Sequence, residues 1–182
     1  MSNDERSDII QLLQEDHREV ERLLAEFDTV SLAGRNELFW TLTHDVVRHE
    51  VAEEVVVYPA ARDLPGGSAL ADARVEEQAE AEQRLAKMEK LDAESEEFAR
   101  QVITLRSAVL THAKAEETSV FVLLRDNLPA EQRFELGARY KRAKEAAPTR
   151  PHPHAPDGPP GNVVMGPVAA LVDKVRDAAS AA

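Results

Sequence analysis

The sequence predicts an all-α protein: an antiparallel up-down four-helix bundle with a short fifth helix and a Pro-rich C-terminal tail. Three observations carry that expectation. Over the first 147 residues apolar positions recur three and four apart in long runs, the spacing of helices with one buried face. No segment alternates with period two for long enough to make a strand. Only Pro59, Pro65 and Pro129 precede Pro148, whereas six of the ten prolines lie between Pro148 and Pro160, so helix breakers are scarce where helices are expected.

Helix one is expected over residues 7–29, with Ser7 as its cap. Helix two is expected over 35–62 and must absorb Pro59 near its end. The Pro65-Gly66-Gly67 break precedes helix three, expected over 69–91. Helix four is expected over 95–127, with Ser95 a loose capping signal, and helix five over 129–146. Helices of ~25 residues are ~37 Å long, and short loops favour antiparallel neighbours. The composition breaks near Ala147, dividing a 1–147 bundle from a 148–182 tail. That tail reads as an extended proline segment, expected to pack little, then a short amphipathic stretch from Val168 to Ala179.

At 182 residues the chain is long enough to bury a core without disulfides, and it contains no cysteine. Cysteine nucleophiles, zinc ribbons and iron–sulfur clusters are thereby excluded. The net charge of -12 repels phosphate backbones and anionic bilayers, so neither nucleic acid nor membrane is an expected partner. The N-terminus is acidic, with no long apolar run behind it, and a cytoplasmic location is expected.

The apolar seams are interrupted at similar levels. Helix one carries Ile9, Leu13, His17, Val20, Leu24 and Phe27; helix two carries Leu42, Val46, His49, Glu53 and Val56. Helix three carries Val75, Gln78, Glu82 and Leu85; helix four carries Val102, Leu105, Val109, His112 and Glu116. Ionised carboxylates in such a core cost several kcal/mol unless something compensates. A divalent metal compensates. His49 with Glu53, and His112 with Glu116, lie four apart and share one helix face, so each pair is able to chelate. His17 adds a fifth group. Mixed imidazole and carboxylate donors suit iron, manganese or zinc, and bridging carboxylates in a bundle suit a dinuclear iron site. A lone His17 would ordinarily be a hydrogen-bonded core residue. Two His-x-x-x-Glu pairs and His17 on three seams are hard to obtain by chance. Gln78 and Glu82 read equally well as a seam edge facing water. His44 falls off the seam, at the surface; His152 and His154 sit in the proline segment, where nothing orients them. Tyr58 is a packing residue or a donor to a carboxylate ligand. Glu76-Glu77 and Glu94 to Glu97 read as solvated faces.

Three stretches resemble motifs of the hemerythrin-like family, also called HHE cation-binding domains, with actinobacterial members the most similar. They are Leu13 to Leu24 around His17, His49-Glu-Val-Ala-Glu53 through Tyr58-Pro59, and His112-Ala-Lys-Ala-Glu116 through Phe121. The resemblance covers roughly Ile9 to Lys144. It implies a four-helix bundle holding a non-haem di-iron centre, with His17, His49 and His112 as terminal ligands and Glu53 and Glu116 bridging. The chain departs from that pattern where Gln78 stands in place of a third-helix histidine, and where Val122 follows Phe121 instead of proline. An amide oxygen is a weaker, neutral ligand. Glu82, one turn further, and Glu50, beside His49, are the candidate substitutes. The implied function is binding or sensing of oxygen, peroxide or nitric oxide. The alternatives are a peroxide-consuming oxidoreductase, or a bundle that has lost its metal and docks a partner.

Overall fold

The computed structural model describes residues 7–151. Seven helices follow in order: α1 (Ile9–Glu26), α2 (Arg35–Ala52), α3 (Tyr58–Arg62), α4 (Gly67–Met88), α5 (Glu96–Thr118), α6 (Val120–Asn127) and α7 (Ala130–Ala146). No strand occurs among the described residues. The all-α expectation is met, and the amphipathic segment expected near 168–179 lies outside the described residues.

α1 packs on α2 and α5, α4 packs on α3 and α5, and α7 lies against α1 and α2. Side-chain pairs give the directions. His17 meets Glu117 and Asp28 meets Arg106, so numbers rise along α1 as they fall along α5. His112 meets Glu77 and Gln101 meets Arg84, so α4 and α5 are antiparallel too. Glu53 with Gln78 and Arg62 with Asp72 set α4 against the α2–α3 arm in the same sense.

Local chemistry explains where the elements start and break. Asp8, not Ser7, caps α1: its carboxylate accepts from the Ile10 N–H at 2.9 Å. Ser95 caps α5 by accepting from the Phe98 N–H at 3.1 Å. The expected helix over 35–62 is split by a five-residue π-turn, Glu53–Val57. Pro59 has no N–H to return to the preceding turn, and the widened turn absorbs it, with the Tyr58 N–H donating to the Glu53 carbonyl. The expected helix over 95–127 is likewise broken, at Ser119 (φ -127°, ψ -74°). There the Ser119 hydroxyl donates to the Ala115 carbonyl at 2.6 Å and competes with the helical ladder. α4 begins two residues earlier than expected, because Gly66 takes the left-handed conformation (φ +81°) and turns the chain directly into it.

Two apolar clusters hold the bundle. One contains Val20, Leu24, Phe27, Phe39, Leu42, Leu85, Met88, Phe98 and Leu105. The other contains Ile9, Leu13, Val56, Tyr58, Val120, Phe121, Leu124, Leu136 and Tyr140. Between them lies a polar layer.

The expectation that the proline segment packs little fails over its described part. Ala147, Pro148 and Pro151 are buried, and the Arg150 guanidinium stands 4.1 Å over the Trp40 ring. That ring is also near His44, which is half-buried instead of lying free on the surface. Trp40 is the chain's only tryptophan, so its emission reports this docking. Arg150→Ala is expected to shift Trp40 fluorescence while lowering stability by no more than ~1 kcal/mol; emission identical to the unsubstituted protein would show that the contact is not made in solution.

Candidate metal centre

The polar layer is built from four directions. α1 supplies His17, α2 supplies His49 and Glu50, the π-turn supplies Glu53, α4 supplies Gln78, and α5 supplies His112 and Glu116. Glu53 and Glu116 are fully buried, and Gln78 is 2% exposed. The seam-edge reading of Gln78 is therefore excluded.

Six atoms in this layer are buried and have no hydrogen-bond partner: Nε2 of His17, His49 and His112, Glu53 Oε1, Glu116 Oε2 and Gln78 Oε1. The imidazole nitrogens and carboxylate oxygens among them face one another. His17 Nε2 and His112 Nε2 lie 3.2 and 3.3 Å from Glu116 Oε2, and His49 Nε2 lies 3.3 Å from Glu53 Oε1, without hydrogen-bond geometry. One donor atom each from His17, His49, Glu53 and Glu116 falls within 4.8 Å of the others, the one such group among the described residues. Partnerless buried donors are rare in folded proteins, because each costs about 1–3 kcal/mol. Imidazole nitrogens and carboxylate oxygens converging on one space are the donor set of a transition-metal ion, so the residues present fit a metal.

The remaining atoms of these side chains point outward and are satisfied. His17 Nδ1 pairs with Glu117 at 3.1 Å, His112 Nδ1 with Glu77 at 2.9 Å, and His49 Nδ1 with the Tyr140 hydroxyl at 2.7 Å. Such outer partners fix the tautomer and aim Nε2 at the centre. Glu77 is itself held by Arg74 at 2.7 Å. Tyr58, from the start of α3, donates to Glu116 Oε1 at 2.8 Å, the carboxylate-donor role among its two expected ones. The Gln78 amide donates to Glu53 Oε2 at 2.7 Å and to the Tyr58 oxygen at 2.6 Å. Each carboxylate thus offers one oxygen inward and has the other tied.

The other candidates lie further out. Glu50 is buried and lines a cleft of about 350 Å³ that also reaches His17, His49 and His112. Burial, with the neighbouring carboxylates of Glu82 and Glu54, outweighs His112 and pushes the Glu50 carboxyl well above its usual range. Glu82 is half-buried and outside the four-residue donor group.

Sequence reasoning missed the outward partners. Glu77, which on its own helix reads as part of a solvated face, holds His112; Glu117, Asp16 and Tyr140 lie outside the expected ligand set. A signal existed for three of them: each is an acid adjacent in sequence to a seam donor, next to Gln78, Glu116 and His17. Tyr140 had none.

Fold and site together define a helical bundle with a buried cation-binding centre. The Hemerythrin HHE cation binding domain model matches residues 8–124, and the chain belongs to that family. An uncharacterised hemerythrin-like protein of Schizosaccharomyces pombe is 30% identical over 167 residues, which cover 91% of this chain and 79% of that protein. A Nostoc protein described as a DNA nickase is 28% identical over 144 residues, covering 79% of this chain but 41% of the nickase. No solved structure matches significantly. No described helix is long and apolar enough to cross a membrane.

Electrostatics in the metal-free protein set the pH behaviour. Burial pulls the His112 imidazole down, but Glu116 at 3.3 Å and the other carboxylates raise it to about 9. His49 moves well above its usual value for the same reason, Glu53 and Asp16 outweighing burial. In return His112 and His17 hold Glu116 well below the usual carboxylate range against its burial. A folded-state value above the unfolded one, about 6.5, means stabilisation fully present below that pH and lost as pH rises through about 9. A cation must displace the same protons. Metal-free protein is therefore expected to lose stability between about pH 6.5 and 9 while cation affinity rises, with net proton release at pH 7. Calorimetric titration in buffers of different ionisation enthalpy checks this; uptake without proton release would refute it.

Proposed function

We propose that this chain is a non-haem iron protein whose centre binds oxygen, its reduced forms or nitric oxide. The convergence of buried imidazole nitrogens and carboxylate oxygens that have no hydrogen-bond partner carries this reading. Three imidazoles, two carboxylates and an amide suit iron better than a thiolate-seeking metal, and the family's cation-binding description agrees. His17, His49, Glu53 and Glu116 form the tighter position. A second position uses His112 and Gln78, with Glu50 and then Glu82 as further acids, giving a di-iron centre of unequal halves. When bound, iron supplies an exchangeable coordination position and a one-electron couple.

The chain's own residues do the rest. Glu117, Tyr140 and Glu77 orient the imidazoles. Tyr58 and Gln78 hold the outer oxygens of Glu53 and Glu116. Phe121 stacks on His17 at 5.3 Å and, with the apolar clusters on both sides, limits water. The cleft between α4 and α5, walled by Val20, Val46, Ala81 and Val109, is the access path for a small ligand. Its reach to the half-buried His112 and the buried Glu50 also favours a second reading, consumption of peroxide. The nickase's DNA-directed role is not carried over: the shared part is less than half of that protein, and a charge of -12 opposes a phosphate backbone.

Iron per chain under graded chelator competition tests the reading. Gln78→His is expected to raise stoichiometry or affinity at the weaker position. His112→Ala should lower it more than Glu82→Ala, by ~10-fold or more. A charge-transfer band on adding azide supports ligand binding at iron, and steady peroxide turnover supports the enzyme. Wild-type protein that takes up no iron would sink both readings.

A further inference from the structure

His49 is held differently from the other two imidazoles. His17 and His112 reach glutamates directly. His49 Nδ1 lies 2.7 Å from the Tyr140 hydroxyl oxygen and 3.4 Å from Asp16 Oδ2, while the Tyr140 hydroxyl lies 2.6 Å from that same Asp16 oxygen. The other Asp16 oxygen meets Lys144 at 2.7 Å. A phenol has one proton and a carboxylate only accepts. Tyr140 therefore donates to Asp16, and its oxygen accepts from His49 Nδ1–H. That choice keeps the proton on Nδ1, so Nε2, the atom facing the centre, is the nitrogen that offers its lone pair once a cation displaces its proton.

Tyr140 belongs to α7, which begins beyond the matched residues 8–124. α7 is seated closely on the start of α1. A Cβ at Gly137 would stand 2.1 Å from the Ser7 carbonyl oxygen. Arg133 pairs with Asp8 at 2.8 Å, and Arg48 of α2 donates to the Lys144 carbonyl at 2.9 Å. Tyr140 is 2% exposed. A phenylalanine would satisfy the apolar part of that position, so the hydroxyl is explained only by His49 and Asp16.

We infer that α7 is a working part of the metal centre, with Tyr140 the positioning residue that fixes His49 toward the cation. The inference rests on the metal-binding reading and adds an element outside the matched family segment. Its consequence is that cation affinity depends on α7 staying docked.

The test compares full-length wild type with Tyr140→Phe. Ferrous iron, added anaerobically, is titrated against a graded chelator. Tyr140→Phe is expected to bind ~10-fold or more weakly with unchanged helical content. Zinc-loaded protein, which is diamagnetic, supplies the readout that a packing role would not move. In wild type the His49 Nδ1 proton should exchange slowly in nitrogen-resolved spectra, and in Tyr140→Phe that signal should be lost while those of His17 and His112 persist. Equal iron affinity together with an unchanged His49 signal overturns the inference. Should Tyr140→Phe fold poorly, the zinc-loaded wild type decides alone: a His49 Nδ1 proton exchanging as fast as that of a solvent-facing histidine overturns it. Wild type that binds neither ion refutes the metal reading itself.

Discussion

The bundle is organised around a layer it would be more stable without. Two fully buried carboxylates and three imidazoles sit between two apolar clusters, and five of their atoms face one another with no hydrogen bond. Burying charge against charge in a low dielectric returns little beyond the desolvation it costs. The clusters on either side supply the stability, with Phe39, Phe98 and Leu105 at one end and Leu13, Phe121 and Leu124 at the other. The apolar seams are thus the scaffold that keeps the inward atoms facing, while the hydrogen bonds of Tyr58 and Gln78 tie only the outer carboxylate oxygens.

How the donors are aimed follows from helix geometry. A residue next to a seam position points about 100° away from it, toward a neighbouring helix. Asp16 beside His17 turns to His49 on α2, Glu77 beside Gln78 turns to His112 on α5, and Glu117 beside Glu116 turns to His17 on α1. Three of the donor-bearing helices, α1, α4 and α5, therefore also steady the histidine of another. These contacts lock helix register and imidazole orientation together, so a slip of one helix would misplace both a ligand and the partner of a second ligand.

The seam donors were legible because they break an otherwise apolar stripe, and His17, His49, Glu53, Gln78, His112 and Glu116 all lie in the layer. Their spacing gave no view across helices, and that hid the outer partners: Glu77 on its own helix is indistinguishable from a solvated acid. Pro59 signalled a disturbance of the second helix but not its form, the π-turn that carries Glu53. The break at Ser119 had no proline to announce it; a hydroxyl turned back on the Ala115 carbonyl accompanies it. Tyr140 was least visible. α7 is strongly polar, and the one hydroxyl that matters acquires its meaning only from the docking of that helix.

Tyr58 and Gln78 bear on how evenly the centre is divided. A carboxylate that bridges two ions with one oxygen on each needs both oxygens. Here Glu116 Oε1 accepts from Tyr58, and Glu53 Oε2 accepts from Gln78. The inward oxygens are ready; the outer ones become available only if those hydrogen bonds are given up. Gln78 is pivotal, since its amide nitrogen holds Glu53 and Tyr58 while its oxygen remains partnerless. A histidine at that position could not donate two hydrogen bonds from one end while presenting an acceptor at the other. Glutamine therefore favours the arrangement in which one cation position is preformed and the second must be won from the protein's own hydrogen bonds, and this is the structural origin of the unequal halves proposed for the centre.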